Sequence, residues 1–146
     1  MPTLTPGQGQ DLLSAFKRAS ERRDVDLAMS LFREDAEYRL DPFEPALTGA
    51  NAIRAYWNDF AATWTNVEFD SERVWVAGNT VLSSWHSAMT SRGSAERLRF
   101  RGFMTFELDD AGLVSRFKQW PVARKVGIDS TVDPEAAPAG EAARGR

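Results

Sequence analysis

The sequence has no cysteine and a single histidine, His86. Without thiols the chain can form no disulfide, no thiolate metal site and no cysteine nucleophile, and such a composition fits a reducing compartment. No second histidine and no closely spaced acid pair accompanies His86, so a zinc or iron site has no support. The run "GQGQ" at residues 7–10 follows no predicted strand and is therefore not a phosphate loop. We predict a protein without a metal or other cofactor.

The sequence also lacks positive net charge and long apolar runs. Its formal net charge is -3, which disfavours a protein that follows the phosphates of a nucleic acid. No run reaches the roughly 18 apolar residues that a membrane helix needs. The start "MPTLTPGQGQ" has no basic flank followed by an apolar stretch. These absences predict a cytoplasmic protein that contacts neither nucleic acid nor membrane.

The sequence does contain enough residues for one domain and many aromatic rings. A chain of 146 residues with 42% hydrophobic and 27% charged residues can bury a core and a cavity, and 5 Trp and 9 Phe are many for this length. The last stretch, "DSTVDPEAAPAGEAARGR", has no aromatic residue and little to bury. We predict one domain over residues 1–128 and a flexible C-terminal tail over residues 129–146.

The first half of the chain has the periodicity of three helices. Thr5 and Gln8, with a proline between them, form the expected cap of the first, Asp24 caps the second, and residues 48–49 open the third. A strand over residues 36–41 separates the second helix from the third. The apolar residues at helical spacing are Leu12, Leu13, Phe16 and Ala19, then Leu27, Ala28, Leu31 and Phe32, then Ile53, Tyr56, Trp57, Phe60 and Trp64.

The second half alternates with period two and predicts an antiparallel meander of four strands. Turn sequences separate strands at roughly residues 66–76, 80–90, 96–108 and 113–121. Three helices and one strand followed by four strands are typical of an α+β fold.

Alternation also assigns the two faces of the last strands. The predicted inner residues are Leu98, Phe100, Gly102, Met104, Phe106 and Leu108, followed by Leu113, Ser115, Phe117 and Gln119. The predicted outer face carries five basic residues, Arg97, Arg99, Arg101, Arg116 and Lys118. These either pair with glutamates such as Glu107 or belong to a dimer face centred on Phe103 and Trp120; an anion-binding patch is the alternative. Gly102 is expected at a bend or bulge.

The segments "DVDLAMSLFREDAEYRLDPFEPALTGANAIRAYW" and "FELDDAGLVSRFKQW" resemble the nuclear transport factor 2-like superfamily, in particular its SnoaL-like and ketosteroid isomerase-like branches. The resemblance covers about residues 8–122. It implies a strongly bent antiparallel sheet wrapped by the helices into a cone of cystatin-like arrangement, with an internal pocket between the sheet and the long helix, in a homodimer. Because this fold hosts isomerases, cyclases, hydrolases, dehydratases and binding modules, the resemblance implies no particular reaction.

Asp41 is the candidate proton acceptor that the resemblance implies. In the isomerase branch an aspartate before a proline is the catalytic base, and "DAEYRLDP" is similar to that segment, although one residue longer. The same resemblance places Phe16 and Met104 where that enzyme has its two hydrogen-bond donors, so steroid isomerisation by that mechanism is not expected. A regular strand would point Asp41 outward with Glu37, unless the chain bends at the following proline. The alternative interpretation is a turn residue.

His86 is the second candidate for proton transfer, although alternation allows only one of His86 and Trp85 to face the interior. Two functions remain open. The first is a cofactor-independent isomerase, cyclase or hydratase acting on a small apolar substrate through Asp41 or His86; the second is a non-catalytic ligand-binding or dimerisation module. The predicted substrate-binding residues are Tyr38, Tyr56, Trp57, Trp85, Met104, Phe106, Phe117 and Gln119. Glu37 and Glu44 are interpreted as solvated carboxylates.

Overall fold

The structure, a computed structural model, describes residues 3–135. The elements in chain order are α1 (Pro6–Arg22), α2 (Val25–Ser30), β1 (Phe32–Arg39), β2 (Leu47–Thr48), α3 (Ala50–Thr63), β3 (Trp64–Ala77), β4 (Thr80–Ser91), β5 (Glu96–Leu108) and β6 (Val114–Ile128). None of the helices in this part of the chain is long and apolar enough to cross a membrane.

The strands form one curled sheet that does not close, in the order β2-β1-β6-β5-β4-β3. Strands β3 to β6 form the predicted antiparallel meander. The predicted α+β fold is therefore confirmed, with one difference in strand direction. β1 lies beside β6 and runs parallel to it. Parallel strands need a long connection, and here β2, α3 and the strands β3 to β5 separate the two elements in sequence.

Both predicted helix caps are present. Thr5 Oγ1 accepts a hydrogen bond from the Gln8 amide at 3.2 Å, and Gln8 Oε1 accepts one from the Thr5 amide at 2.8 Å, which together form a capping box. Asp24 Oδ1 accepts from the Leu27 amide at 3.0 Å at the start of α2. Local side-chain chemistry therefore sets the beginning of each of these helices.

Two residues assigned to helices by their spacing belong to strands. Phe32 begins β1, where it pairs with Val114, and Trp64 begins β3, where it pairs with Ser91. Both rings are buried, at 6% and 8% exposure. The apolar spacing continues past each helix end because the first residue of the following strand also faces the core.

The predicted faces are correct for β5 and partly wrong for β6. Met104, Phe106 and Leu108 are buried as expected. In β6, however, the pairing shifts between Glu107 and Leu108, so Ser115 is an extra residue in the ladder. This shift turns Val114 inward together with Phe117, and the predicted inner positions 113 and 115 are only partly buried.

β6 is longer than predicted and continues to Ile128 instead of residue 121. Its last part pairs with the first half of β5, although Val122 and Ile128 are 73% and 70% exposed. Backbone pairing rather than burial extends this strand, and hydrophobic alternation carries no signal for it.

The first residues of the predicted tail contact the body of the domain. Asp129 Oδ2 accepts hydrogen bonds from Thr90 Oγ1 at 2.7 Å and from Asn66 Nδ2 at 3.0 Å. The Glu135 amide donates to the Arg92 carbonyl oxygen at 3.0 Å. The rest of the predicted tail, residues 136–146, lies outside the described residues.

Candidate functional site

A cavity of about 480 Å³ lies between the inner face of the sheet and the helices α1 and α3. Nine of its twenty lining residues are aromatic, and a largely apolar lining of this kind is typical of small-molecule sites. The lining rings are Phe16, Tyr38, Tyr56, Trp57, Phe60, Trp64, Phe69, Trp85 and Phe100. The other lining residues are Ser20, Leu40, Asp41, Glu44, Asp59, Val67, Ser87, Met89, Met104, Gln119 and Pro121.

The structure places most of the predicted site residues in this wall. Those that line the cavity are Asp41, Tyr38, Tyr56, Trp57, Trp85, Met104 and Gln119. Phe106 and Phe117 do not line it. Their rings lie 5.4 Å and 5.8 Å from the Phe16 ring, and neither has any exposed surface. They fill the core behind Phe16, because these inward residues of the sheet meet α1 directly.

On β4, Trp85 lies inside and His86 outside. Trp85 is 5% exposed and stacks on Phe69 in the cavity wall at a ring distance of 5.8 Å. His86 Nδ1 lies 3.1 Å from a Glu72 oxygen on the opposite face, and His86 Nε2 lies 3.8 Å from an Asp70 oxygen. The strand therefore separates the histidine from the cavity.

Gly102 makes room for this arrangement. A Cβ atom at residue 102 would lie 2.5 Å from the Trp120 carbonyl oxygen and 3.0 Å from Trp85 Cζ2. The ladder is continuous through Gly102, which pairs with Trp85 on one side and Pro121 on the other, so the predicted bulge is absent there. Instead, the missing side chain lets β6 and the Trp85 ring approach the β5 backbone.

Asp41 serves as a turn residue and also reaches the cavity. Its Oδ1 accepts from the Phe43 amide at 2.8 Å, and its carbonyl oxygen accepts from the Glu44 amide at 3.2 Å. Because β1 ends at Arg39 and the chain turns through residues 41–44, Asp41 does not follow the outward parity of the strand. The exposed Glu44 lies beside it in the lining.

The charged side chains in the described lining are all acidic: Asp41, Glu44 and Asp59, with no Lys, Arg or His. Two tyrosine hydroxyls accompany them. Burial raises the pKa of Tyr38 well above its ordinary value, and the nearby Tyr56 adds to that rise. Burial, with Asp59 as a smaller cause, raises the pKa of Tyr56 to about 12. Both tyrosines are therefore protonated hydrogen-bond donors at neutral pH.

Two indole nitrogens in the wall have no hydrogen-bond partner among the described residues, Trp57 Nε1 and Trp85 Nε1. The nearby Trp57 indole lowers the pKa of Tyr38 and so offsets part of the effect of burial. The contact between Trp57 Nε1 and the Tyr38 hydroxyl nevertheless does not have the geometry of a hydrogen bond. A buried donor without an acceptor is costly in a folded protein. Within residues 3–135, no group of three or more His, Asp or Glu side chains is arranged to hold a metal ion.

The sequence of residues 13–117 matches the profile of the SnoaL-like domain. This chain belongs to the SnoaL-like domain family. No curated protein matches its sequence significantly. The fold is shared with solved structures of low sequence identity, which carry the ketosteroid isomerase-like and nuclear transport factor 2-like arrangement expected from the sequence.

Three of these structures illustrate the range of proteins that share the fold. An LEH-like epoxide hydrolase from M. tuberculosis has 18% identity and a TM-score of 0.68, with 80% of this chain and 84% of that chain covered. SalBIII, an epoxide hydrolase/cyclase-like enzyme in pyran ring formation of the polyether salinomycin, has 17% identity, a TM-score of 0.71 and coverages of 84% and 97%. A hypothetical protein from Catenulispora acidiphila with a ketosteroid isomerase-like fold, in complex with trimethylamine, has 15% identity, a TM-score of 0.68 and coverages of 80% and 86%.

Several lining residues of the SnoaL-like chain were missed by sequence reasoning. Asp59 lies three residues after Tyr56 on α3, and Leu40 shares strand parity with Tyr38, so helix and strand spacing could have indicated both. Trp64 was assigned to the core stripe of a helix. Its position in the wall depends on the turn from α3 into β3, for which the apolar spacing has no signal.

The lining can perform a limited chemistry. It offers carboxylates as proton acceptors and neutral hydroxyl and indole groups as donors. Phe16 and Met104 both line the cavity, so the positions that the isomerase resemblance assigns to donors are apolar here. Any oxygen that gains negative charge in this cavity would rely on neutral donors, which are the tyrosine and serine hydroxyls, the Gln119 amide and the indole nitrogens.

Proposed function

We propose that this SnoaL-like protein binds a small, largely apolar molecule in the cavity between α3 and the inner sheet. The observation that carries this proposal is a cavity of about 480 Å³ whose lining is largely aromatic and aliphatic, with a smaller number of polar side chains. The competing interpretation is that the rings fill the space. It is disfavoured because the rings that do fill the core, Phe106 and Phe117, lie behind Phe16 rather than in the cavity.

A second candidate function is catalysis of proton transfer on that molecule without a cofactor. It is favoured by the position of Asp41 in the cavity lining and by the enzymes among proteins of the same fold. In this reaction the Asp41 carboxylate takes a proton from a substrate carbon or from water, and the Tyr38 or Tyr56 hydroxyl donates to the oxygen that becomes negative. His86 has no part in it, because its side chain lies on the other face of the sheet.

The binding proposal is tested with a matched pair of variants on β4. Ser87 is buried and lines the cavity, whereas Ser84 lies on the opposite face of the same strand. Ser87→Phe fills the cavity, and Ser84→Phe adds the same ring outside it. Neutral apolar ketones, ethers and amines should raise the melting temperature of the wild type and of Ser84→Phe, since a ligand that binds the folded state stabilises it by mass action.

The same compounds should no longer shift the melting temperature of Ser87→Phe. Equal shifts in the two variants would place binding outside the cavity and overturn the proposal. For compounds that bind, Asp41→Asn separates the two functions. Loss of turnover with retained binding supports proton transfer by Asp41, and no turnover by the wild type supports a binding protein.

A further inference from the structure

We propose that the cavity excludes anions, so that its ligand is a neutral molecule or an amine. This inference rests on the proposed function, because it assigns the chemical class of the molecule that the cavity binds. Its basis is the distribution of charge over the lining described within residues 3–135, which is acidic at the mouth and has no cation in the interior.

The mouth of the cavity is acidic. Glu44 is exposed and Asp41 is half-buried, and both line the same space. Arg39 donates a hydrogen bond to the main-chain carbonyl oxygen of Glu44, but its side chain does not line the cavity, and one guanidinium offsets only one of the two carboxylates. A ligand with a carboxylate, sulfonate or phosphate at the mouth would therefore meet like charges at short range.

The interior offers an anion no compensation. No Lys, Arg or His side chain belongs to the described lining, so a charged group placed inside would lose its hydration without gaining a counter-charge. What the interior does offer is neutral donors, including the indole nitrogens of Trp57 and Trp85, which have no hydrogen-bond partner in the part of the chain that the structure describes. A carbonyl or ether oxygen can use a neutral donor without the cost of burying a charge. The mouth and the interior of the cavity therefore both disfavour an anionic ligand.

The test uses two fluorescent dyes that differ by a single sulfonate. Phenylnaphthylamine is neutral, and anilinonaphthalene sulfonate is the same ring system with one negative charge; both brighten on entering an apolar site. We expect the neutral dye to bind at least about tenfold more tightly than the anionic dye, because each mouth carboxylate repels the sulfonate through partly screened charges. Dissociation constants within about threefold of each other would overturn the inference.

The anionic dye needs a control for binding elsewhere. A depression of about 260 Å³ on the outer side of the sheet is lined by Arg99, Arg101 and Arg124, which can attract a sulfonate. Only the fluorescence that is lost in Ser87→Phe and retained in Ser84→Phe is therefore counted as cavity binding. If both dyes bind the cavity equally, charge exclusion fails and the binding function stands. If neither dye gives a signal sensitive to Ser87→Phe, the proposed function fails as well.

Variants that neutralise single charges test whether the mouth carboxylates cause the difference in affinity between the two dyes. Asp41→Asn and Glu44→Gln should each narrow the affinity ratio between the two dyes by about twofold to fivefold. Asp110→Asn removes the same charge from an exposed turn outside the lining and should leave the ratio unchanged. A ratio that stays constant in both mouth variants, or that narrows equally in Asp110→Asn, would overturn the assignment to the mouth carboxylates.

Discussion

Trp85 and His86 are adjacent in β4 and lie on opposite faces of the sheet, the indole in the cavity wall and the imidazole between Glu72 and Asp70. The two side chains therefore have different roles, although they were equal candidates for the interior by alternation. Trp85 completes a wall of rings with Phe69, and His86 joins a row of surface charges. Because of this arrangement, we expect a substitution of Trp85, and not one of His86, to change core stability and ligand binding.

We expect His86→Ala to change the free energy of unfolding by no more than about 0.5 kcal/mol, because His86 is partly exposed and surface ion pairs contribute little. Trp85→Ala should lower it by about 3–5 kcal/mol, since the substitution leaves a large void in a buried wall. Urea unfolding monitored by circular dichroism measures both. Comparable losses in the two variants would contradict the assignment of faces.

Gly102→Ala should destabilise the protein by about 1–3 kcal/mol, because the added Cβ would lie 2.5 Å from the Trp120 carbonyl oxygen and the two backbones must separate. Gly7→Ala is the matched control. A Cβ at residue 7 in α1 has only the Thr5 hydroxyl nearby, at 3.8 Å, so this variant should be neutral or slightly stabilising. Thermal and urea unfolding should show a loss of stability for Gly102→Ala and none for Gly7→Ala.

Truncation should distinguish two parts of the C-terminal segment. Removing residues 136–146 should leave the melting temperature nearly unchanged, since their composition gives folding little to bury. Removing residues 129–146 should lower it, because Asp129 loses its bonds to Thr90 and Asn66. Equal melting temperatures for both truncated proteins would mean that the contacts of Asp129 contribute nothing to stability.

The contribution of Asp129 should depend on pH in one direction. Hydrogen bonds from Thr131, Thr90 and Asn66 hold the pKa of Asp129 well below the value of about 3.9 of an unfolded aspartate. As the pH falls, Asp129 is therefore protonated at a higher pH in the unfolded chain than in the folded protein. The stability from Asp129 is complete above about pH 4 and is lost as the pH falls toward the folded pKa. The difference in melting temperature between wild type and Asp129→Asn should be constant from pH 5 to 7 and shrink below about pH 4.

We also propose a homodimer through the outer face of the sheet. Phe103 lies 6.0 Å from the Trp75 ring and 6.5 Å from the Trp120 ring, and the two tryptophans are 38% and 40% exposed. A row of rings in water usually marks an interface. Light scattering should give about twice the chain mass, and Trp120→Glu should give monomers. Phe43→Glu, at a position 93% exposed in a loop, is the control that should remain dimeric. A dimeric Trp120→Glu protein would place the interface elsewhere.

The sequence alone determined the features that depend on neighbouring residues. The caps at Thr5 and Asp24 need only a side chain and an amide a few positions away, and they are present as predicted. The inward residues of β5, such as Met104 and Phe106, follow from alternation within one strand. The resemblance to the SnoaL-like branch added the overall arrangement of the helices around a bent sheet, which single-strand patterns do not contain.

Only the tertiary structure decided the features that depend on how closely two elements approach when they are far apart in sequence. Alternation predicts that Trp85 and His86 face opposite ways, but only the packing of α1 against β3, where Phe16 meets Phe69 and Phe69 stacks on Trp85, determines which of them is inside. Phe106 and Met104 share a face of β5, yet one meets Phe16 in the core and the other lines the cavity. The extra residue at Ser115 reversed the parity of the start of β6. A ring lines a cavity or fills the core according to how closely the opposing element approaches, and that separation is set by the curl of the whole sheet.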